Sequence, residues 1–183
     1  MQRNRLKLRE ELADVLDRKR LRNLKTIAPA LAAGVLMFYG ITAVIYLVPG
    51  ERTGMVGRTL ELMGAMSLLI GLGHLAAVNR IWRWMELKQL RPYFEQWAAS
   101  KEAAARGKFH DQLQAMLIAR WALLEGPALF GAVGLLLHVH RPDLGLWLWA
   151  FLLPGAALFA DVVRWFPSVR NLTERLADRW EGA

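Results

Sequence analysis

Four ionisable side chains lie deep inside long apolar stretches of this chain: His74, Arg120, Glu125 and Asp161, whereas Glu61 and His138 lie nearer the outer interface. A charge at bilayer depth costs at least ~2.5–3.5 kcal/mol on insertion scales, so each group should face protein or water and have a partner. Counting residues from the ends of the stretches places His74, Glu125 and Asp161 at comparable depth. A carboxylate, an imidazole and a second carboxylate at one depth can take up and pass on a proton or a small cation. One hypothesis is therefore a relay centred on Glu125, with His74, Asp161 and Arg120 around it.

The same residues also allow a purely structural interpretation. His74 and Glu125 would then hydrogen-bond across two helices, and Arg120 would extend its side chain to the inner headgroups. Asp161 would pair with Arg164 or Arg120. Sequence alone leaves both interpretations open.

The elements that must position these groups are four apolar stretches of about twenty residues each, at 27–48, 60–78, 117–139 and 146–163. As helices rising ~1.5 Å per residue, all four are long enough to cross a hydrocarbon core of ~30 Å. We therefore predict an all-α integral membrane four-helix bundle, with an N-terminal amphipathic helix and a helical cytoplasmic connection.

The distribution of positive charge predicts the orientation. Of the 24 Lys and Arg residues, nine lie in 1–26, eight in 80–120 and four from 164 onward, and only Arg52, Arg58 and Arg141 lie elsewhere. The positive-inside rule then gives a multi-pass protein of the bacterial cytoplasmic (inner) membrane with both termini inside. The net charge of +8 thus indicates the lipid bilayer and anionic lipids as partners, and no nucleic acid.

Charge and hydropathy divide the chain into five segments. Residues 5–25 are expected to form a single charged amphipathic helix, on the membrane surface or against a partner. Pro29 is expected in the first turn of the first span. Arg91-Pro92 is expected to break the connection into two short helices, either separate or extending the second and third spans, with Ser100 as a cap. The segments are a cytoplasmic amphipathic helix (1–26), transmembrane hairpin 1 (27–79), a cytoplasmic helical connection (80–115), transmembrane hairpin 2 (116–166) and a cytoplasmic tail with a short exposed helix (167–183).

Aromatic and small residues predict which helix faces meet lipid headgroups and which meet other helices. Trp82 and Trp84, interleaved with arginines, are typical of an interfacial anchor, and so is Trp165-Phe166 after the fourth span. Small residues mark faces where membrane helices approach closely. We expect helix packing at Gly64, Ser67, Gly71 and Gly131.

Other chemistry has little support in the sequence. The chain has no cysteine, hence no disulfide and no thiolate site. His138, His140 and Asp143 at the outer end are loosely spaced for a metal, so no metal is predicted. No nucleotide-binding motif is present. Ser67 and His74 lie on one helix, which is an unfavourable geometry for a serine–histidine dyad. We therefore expect no enzyme activity and no cofactor.

Residues 122–133, with Glu125 followed by Gly126-Pro127 and then Gly131, resemble the ion-binding helix of the ATP synthase c-subunit family. The resemblance covers about a dozen residues and implies that Glu125 is an ion carrier. Pro127 and the long 80–115 connection differ from that family. As a whole the chain also resembles small bacterial four-span membrane proteins, which implies an architecture and no activity.

Two functions follow as expectations. The first is a non-enzymatic structural or assembly subunit of a membrane complex, because four spans bury little surface and the small-residue faces offer more packing surface than one bundle needs. This interpretation predicts a homo-oligomer or a larger complex. The second is a proton- or ion-conducting membrane protein that uses Glu125 with His74 and Asp161.

Overall fold

A computed structural model describes residues 2–47, 57–138 and 145–181, and the regular elements in those ranges are all helical. Four helical runs are long and apolar enough to cross a membrane: Leu21–Ile45, Thr59–Ser100, Ala103–His138 and Trp147–Arg164. The predicted all-α fold with four membrane-length helices is confirmed. The helices are α1 (Gln2–Val15), α2 (Leu21–Leu47), α3 (Gly57–Met85), α4 (Arg91–Ser100), α5 (Ala103–His138), α6 (Trp147–Arg164) and α7 (Val169–Glu181), with a π-helical turn (Glu86–Leu90) between α3 and α4.

The chain forms two compact units, each with its own core. Unit 1 gathers the described residues of 1–28, 80–120 and 164–183, and unit 2 gathers those of 29–79 and 121–163. These divisions lie near the borders between the charged and the apolar segments of the sequence. The outer connections predicted around 49–59 and 140–145 fall largely outside the described residues.

The N-terminal segment contains two helices, and the prediction of one helix over 5–25 is wrong. α1 ends at Val15, and α2 begins at Leu21. The side chain of Asp17 causes the break, since its Oδ1 accepts the Lys19 N–H at 2.8 Å and holds a turn. Pro29 therefore lies inside α2, beyond the first turn where we expected it.

The connection does not break at Arg91-Pro92 as predicted. In the π-helical turn the Arg91 N–H donates to the Glu86 carbonyl, and this wider turn places Pro92 in the first turn of α4, where proline is tolerated. The helical path ends instead at Lys101, whose φ of 55° is left-handed. Ser100 Oγ accepts the Glu102 N–H at 3.2 Å just before α5.

The C-terminal helix α7 has a buried face, which corrects the expectation of an exposed helix. Leu172, Leu176 and Ala177 are fully buried in unit 1. α7 packs against α1, and Arg9 Nη2 donates to Asp178 Oδ1 at 3.1 Å on their exposed edge. The α1 segment thus packs on the chain's own C-terminal helix. Further core residues of unit 1 are Leu12, Val15, Leu16, Phe94, Trp97, Phe109 and Leu113.

Unit 2 has a small apolar core and a wide apolar surface. Leu60, Leu135 and Phe151 form the centre of the core, and Tyr39 packs against them. Many large apolar side chains of these helices are exposed, which is the pattern expected of a lipid-facing surface. Examples are Leu36, Met37, Val44, Leu62, Leu69, Leu72 and Leu153.

Candidate functional site

The four ionisable residues of the relay hypothesis have different environments. His74 is half-buried, and its Nδ1 lies 2.9 Å from the Ile70 carbonyl one turn earlier in α3. Glu125 is half-buried and forms no hydrogen bond or ion pair with the residues that the structure describes. Asp161 is buried and interacts with other residues. His74 thus bonds within its own helix, and the described hydrogen bonds include none between His74 and Glu125.

Arg120 lies in the core of unit 1, which corrects the expectation that it reaches headgroups. The residue is 3% exposed. Its guanidinium carbon lies 5.0 Å from the ring centroid of Trp82 and 5.5 Å from that of Trp165. These distances are typical of cation–π contacts.

Trp82 and Trp165 are also buried, so neither is the interfacial anchor that we predicted. Their ring centroids are 4.9 Å apart with the planes at 54°. Trp84 is 57% exposed and remains suited to an interface. Trp82 and Trp84 look alike in the sequence but differ in exposure, because they lie on different faces of α3.

Beside these rings, unit 1 contains a buried ion pair that sequence reasoning missed. Arg179 Nη1 lies 2.7 Å from Glu86 Oε2, and the Glu86 side chain is only 2% exposed. The indole N–H groups of Trp82 and Trp180 lie beside the same carboxyl without meeting full hydrogen-bond geometry. Burial lowers the pKa of the Arg179 guanidinium from its ordinary value, and the Glu86 carboxylate acts in the opposite direction. We call this set the Glu86 cluster: Trp82, Glu86, Arg120, Trp165, Arg179 and Trp180.

One part of the Glu86 cluster had a signal in the sequence. Leu172, Leu176 and Trp180 recur every four residues, a helical period that predicts a buried face on α7. Glu86 had no such signal, since it lies in a charged stretch and its burial depends on the chain segments packed around it.

A second polar contact set joins α5 to the end of α1 within unit 1. Arg106 donates from Nε to the Val15 carbonyl at 3.0 Å and from Nη2 to the Asp14 carbonyl. His110 Nε2 lies 3.0 Å from the Asp17 backbone nitrogen and 2.9 Å from the Val15 oxygen. When the neutral ring carries its proton on Nδ1, Nε2 accepts a hydrogen bond from the Asp17 backbone N–H. When the proton is on Nε2, that N–H donates to the Val15 carbonyl. These contacts cap α1 and hold the α1–α2 turn.

In unit 2, Ser67 fills a hydrogen-bonding gap that a proline creates. Pro154 has no N–H, so the Ala150 carbonyl loses its donor in the next turn of α6. The buried Ser67 hydroxyl of α3 donates to that carbonyl at 3.0 Å. Nearby, the Tyr39 hydroxyl donates to the Phe151 carbonyl at 2.7 Å. Both side chains therefore join helices. The Ser67 bond also satisfies a carbonyl that would be costly to leave unpaired in an apolar medium.

Glycines bring helices of unit 2 close together. A Cβ on Gly64 would overlap the Trp147 ring, and one on Gly71 would lie 3.0 Å from Pro154 Cγ. A Cβ on Gly131 would overlap the Phe151 carbonyl oxygen. The four residues expected at packing faces all lie at such contacts.

The order of the α3–α6 contacts gives the relative direction of these two helices. Gly64 meets Trp147, Ser67 meets Ala150 and Gly71 meets Pro154, so residue numbers rise together along both helices. α3 and α6 therefore run parallel.

His138 does not extend towards a metal site in the described chain. It is buried, its Nδ1 lies 2.8 Å from the Gly134 carbonyl, and its ring stacks on Phe151 at 5.9 Å. His140 and Asp143, the other members of that hypothesis, lie outside the described residues. Among the described residues, no group of three or more His, Asp or Glu side chains could hold a metal ion.

Comparisons of the chain with protein-family models, with curated proteins and with solved structures found no match.

Proposed function

We propose that this chain is a multi-pass protein of the bacterial cytoplasmic (inner) membrane, with both termini inside, and a non-enzymatic structural or assembly subunit of a membrane complex. The supporting observation is unit 1. Three separate segments, all rich in Lys and Arg, form one packed body with a buried ion pair and an aromatic core. A body of this kind, attached to four apolar helices, is suited to docking rather than to turnover.

The hydrogen bonds in unit 2 support a structural role for most of its polar side chains. Tyr39, Thr42, Ser67, His74 and His138 all contact backbone carbonyls of helices. Groups engaged in this way stabilise packing and are poorly placed for chemistry on a substrate.

The parallel direction of α3 and α6 supports the proposed topology. When every membrane-length helix crosses the bilayer once, the second and the fourth crossings run in the same direction. Since the chain has no cysteine, a single Lys108→Cys substitution provides a clean topology probe. We expect a membrane-impermeant maleimide to label it only after the inner face is exposed, and labelling from outside refutes the topology.

Open glycine positions support association with further helices. A Cβ added at Gly34, Gly40, Gly73 or Gly126 would meet nothing within 4 Å. Small residues on apolar helices let a second backbone approach closely. We therefore propose a homo-oligomer or a larger membrane complex.

Native mass spectrometry tests the assembly. Protein purified from its native membranes should show a mass above that of one chain in mild detergent and in nanodiscs. Gly40→Ile should reduce that species without lowering the melting temperature, whereas Leu72→Ile, a conservative change at an exposed site, should not. A strictly monomeric mass in both media refutes the proposal.

One observation favours the second function, proton or ion conduction. Glu125 is half-buried on an apolar helix without a partner among the described residues. A carboxyl that is not engaged in packing is available to a proton or a cation. Proton flux into liposomes that contain the protein, abolished by Glu125→Gln, would establish conduction in place of the structural role.

A further inference from the structure

The turn between α1 and α2, together with the start of α2, concentrates positive charge on the surface of unit 1. We call its five cations the basic turn: Arg18, Lys19, Arg20, Arg22 and Lys25. All five side chains are exposed, and they lie within eight residues of sequence.

The backbone that leads directly into the basic turn is held in place from α5. Arg106 and His110 contact the carbonyls and amides of residues 14–17, and the Asp17 carboxylate accepts the Lys19 N–H. A ligand that binds these cations therefore meets an ordered backbone, which reduces the ordering cost of binding.

Little of this charge is neutralised by the residues that the structure describes. Only Arg20 faces a carboxylate in the described residues, Asp111 at 3.8 Å, and both side chains are at least half exposed. An exposed pair at this separation contributes little. Arg18, Lys19, Arg22 and Lys25 have no described ion-pair partner.

The position of the basic turn in the sequence indicates that it lies at the membrane surface. No charged residue occurs between Lys25 and Glu51, so α2 changes from strongly basic to wholly uncharged within one turn. A membrane-length helix of this pattern places its basic end among lipid headgroups.

We propose that the basic turn binds the headgroup phosphates of anionic phospholipids in the inner leaflet. This inference rests on the proposed function, because it requires α2 to cross the membrane with its N-terminal end inside. Arg offers paired N–H donors to phosphate oxygens, and Lys adds point charges. Each cation near an anionic surface contributes about a five-fold preference.

A lipid titration of the full-length protein in detergent, followed by native mass spectrometry, tests the inference. The probes are phosphatidylglycerol and phosphatidylcholine. The turn variant carries Arg18→Gln, Lys19→Gln and Arg22→Gln. The matched control carries Lys7→Gln, Lys88→Gln and Arg170→Gln, three exposed cations elsewhere in unit 1, so the net charge is equal.

We expect the wild-type protein to bind phosphatidylglycerol more tightly than phosphatidylcholine. The turn variant should lose on the order of a hundred-fold in phosphatidylglycerol affinity, since three cations are removed, and the control should lose less than about five-fold. Equal losses in the two variants, or equal binding of the two lipids by the wild-type protein, would overturn the inference. Displacement of the lipid by inorganic phosphate at the same concentration would also overturn it, because the ligand would then be a soluble anion.

Extraction of membranes with alkaline carbonate separates this inference from the proposed function. A chain that washes off the membrane refutes the proposed function. A chain that stays in the membrane but shows no lipid preference refutes only the lipid site.

Discussion

Arg179→Met should destabilise the protein strongly at neutral pH and much less in mild acid. The substitution removes the charged partner of Glu86, whose side chain is 2% exposed, and leaves that carboxyl buried. Breaking a buried pair in this way costs about 3–5 kcal/mol. Arg120 remains in the cluster and offsets part of this cost, and the carboxyl avoids more of it by taking up a proton.

Proton uptake sets the magnitude and its pH dependence. A glutamate has a pKa of about 4.3 in the unfolded chain. Keeping its carboxyl protonated in the folded protein therefore costs about 3.7 kcal/mol at pH 7 and about 1 kcal/mol at pH 5. The folded variant then binds one proton more than its unfolded chain, so its stability falls as pH rises. At about 2–4 °C per kcal/mol for a chain of this size, the apparent melting temperature should drop by roughly 7–15 °C at pH 7 and by roughly 2–4 °C at pH 5.

Tryptophan fluorescence during heating in detergent measures this effect, because Trp82 and Trp180 lie beside Glu86. Arg170→Met is the control, since that side chain is 90% exposed and its pair with Glu174 should contribute only a few tenths of a kcal/mol. The double variant Glu86→Leu with Arg179→Met should recover most of the loss, because apolar replacement of a buried pair is often near neutral. A loss that does not change with pH, or a double variant worse than Arg179→Met alone, refutes the reasoning.

Three further predictions concern unit 2, and each is checked by melting temperature in detergent. Ser67→Ala should cost about 1–3 kcal/mol, since the Ala150 carbonyl loses its donor; an unchanged melting temperature would show that another donor replaces it. Gly131→Ala should lower the melting temperature. Gly126→Ala places its methyl group in open space and should leave the free energy of unfolding equal or raise it by up to about 1 kcal/mol. Equal effects of the two substitutions would contradict the close approach at Gly131. Glu125→Gln should keep the melting temperature and, in a structural subunit, the oligomeric mass as well; a loss of either would show that the carboxyl is needed for folding or assembly.

Local rules predicted the helices and missed three features. The break after α1 combines the Asp17 turn with contacts from α5, and Pro92 is accommodated by a π-helical turn. Propensity alone cannot reveal either feature, because each depends on hydrogen bonds that adapt to the surrounding structure. The buried face of α7 was readable from its four-residue period, but its mixed charges concealed it.

The packing contacts of unit 2 were more accessible to sequence reasoning than the Glu86 cluster. Small residues at helical spacing marked Gly64, Ser67 and Gly71, because close approach in an apolar helix requires small side chains whatever the partner is. The partner atoms themselves, such as the Ala150 carbonyl left open by Pro154, could be identified only once the direction and register of α3 and α6 were known.

By itself, the sequence determined that the protein is helical, that four helices have membrane length and that positive charge lies in three segments. These properties depend on composition and periodicity along the chain, which neighbours in space do not alter. The tertiary structure decided which polar groups are buried. Glu86 and Arg179 are 93 residues apart, and Arg120 contacts two indole rings from distant parts of the chain, Trp82 of α3 and Trp165 just after α6. Burial of a charge depends on partners brought from distant parts of the chain, so only the folded arrangement could identify this ion pair and the aromatic rings around it.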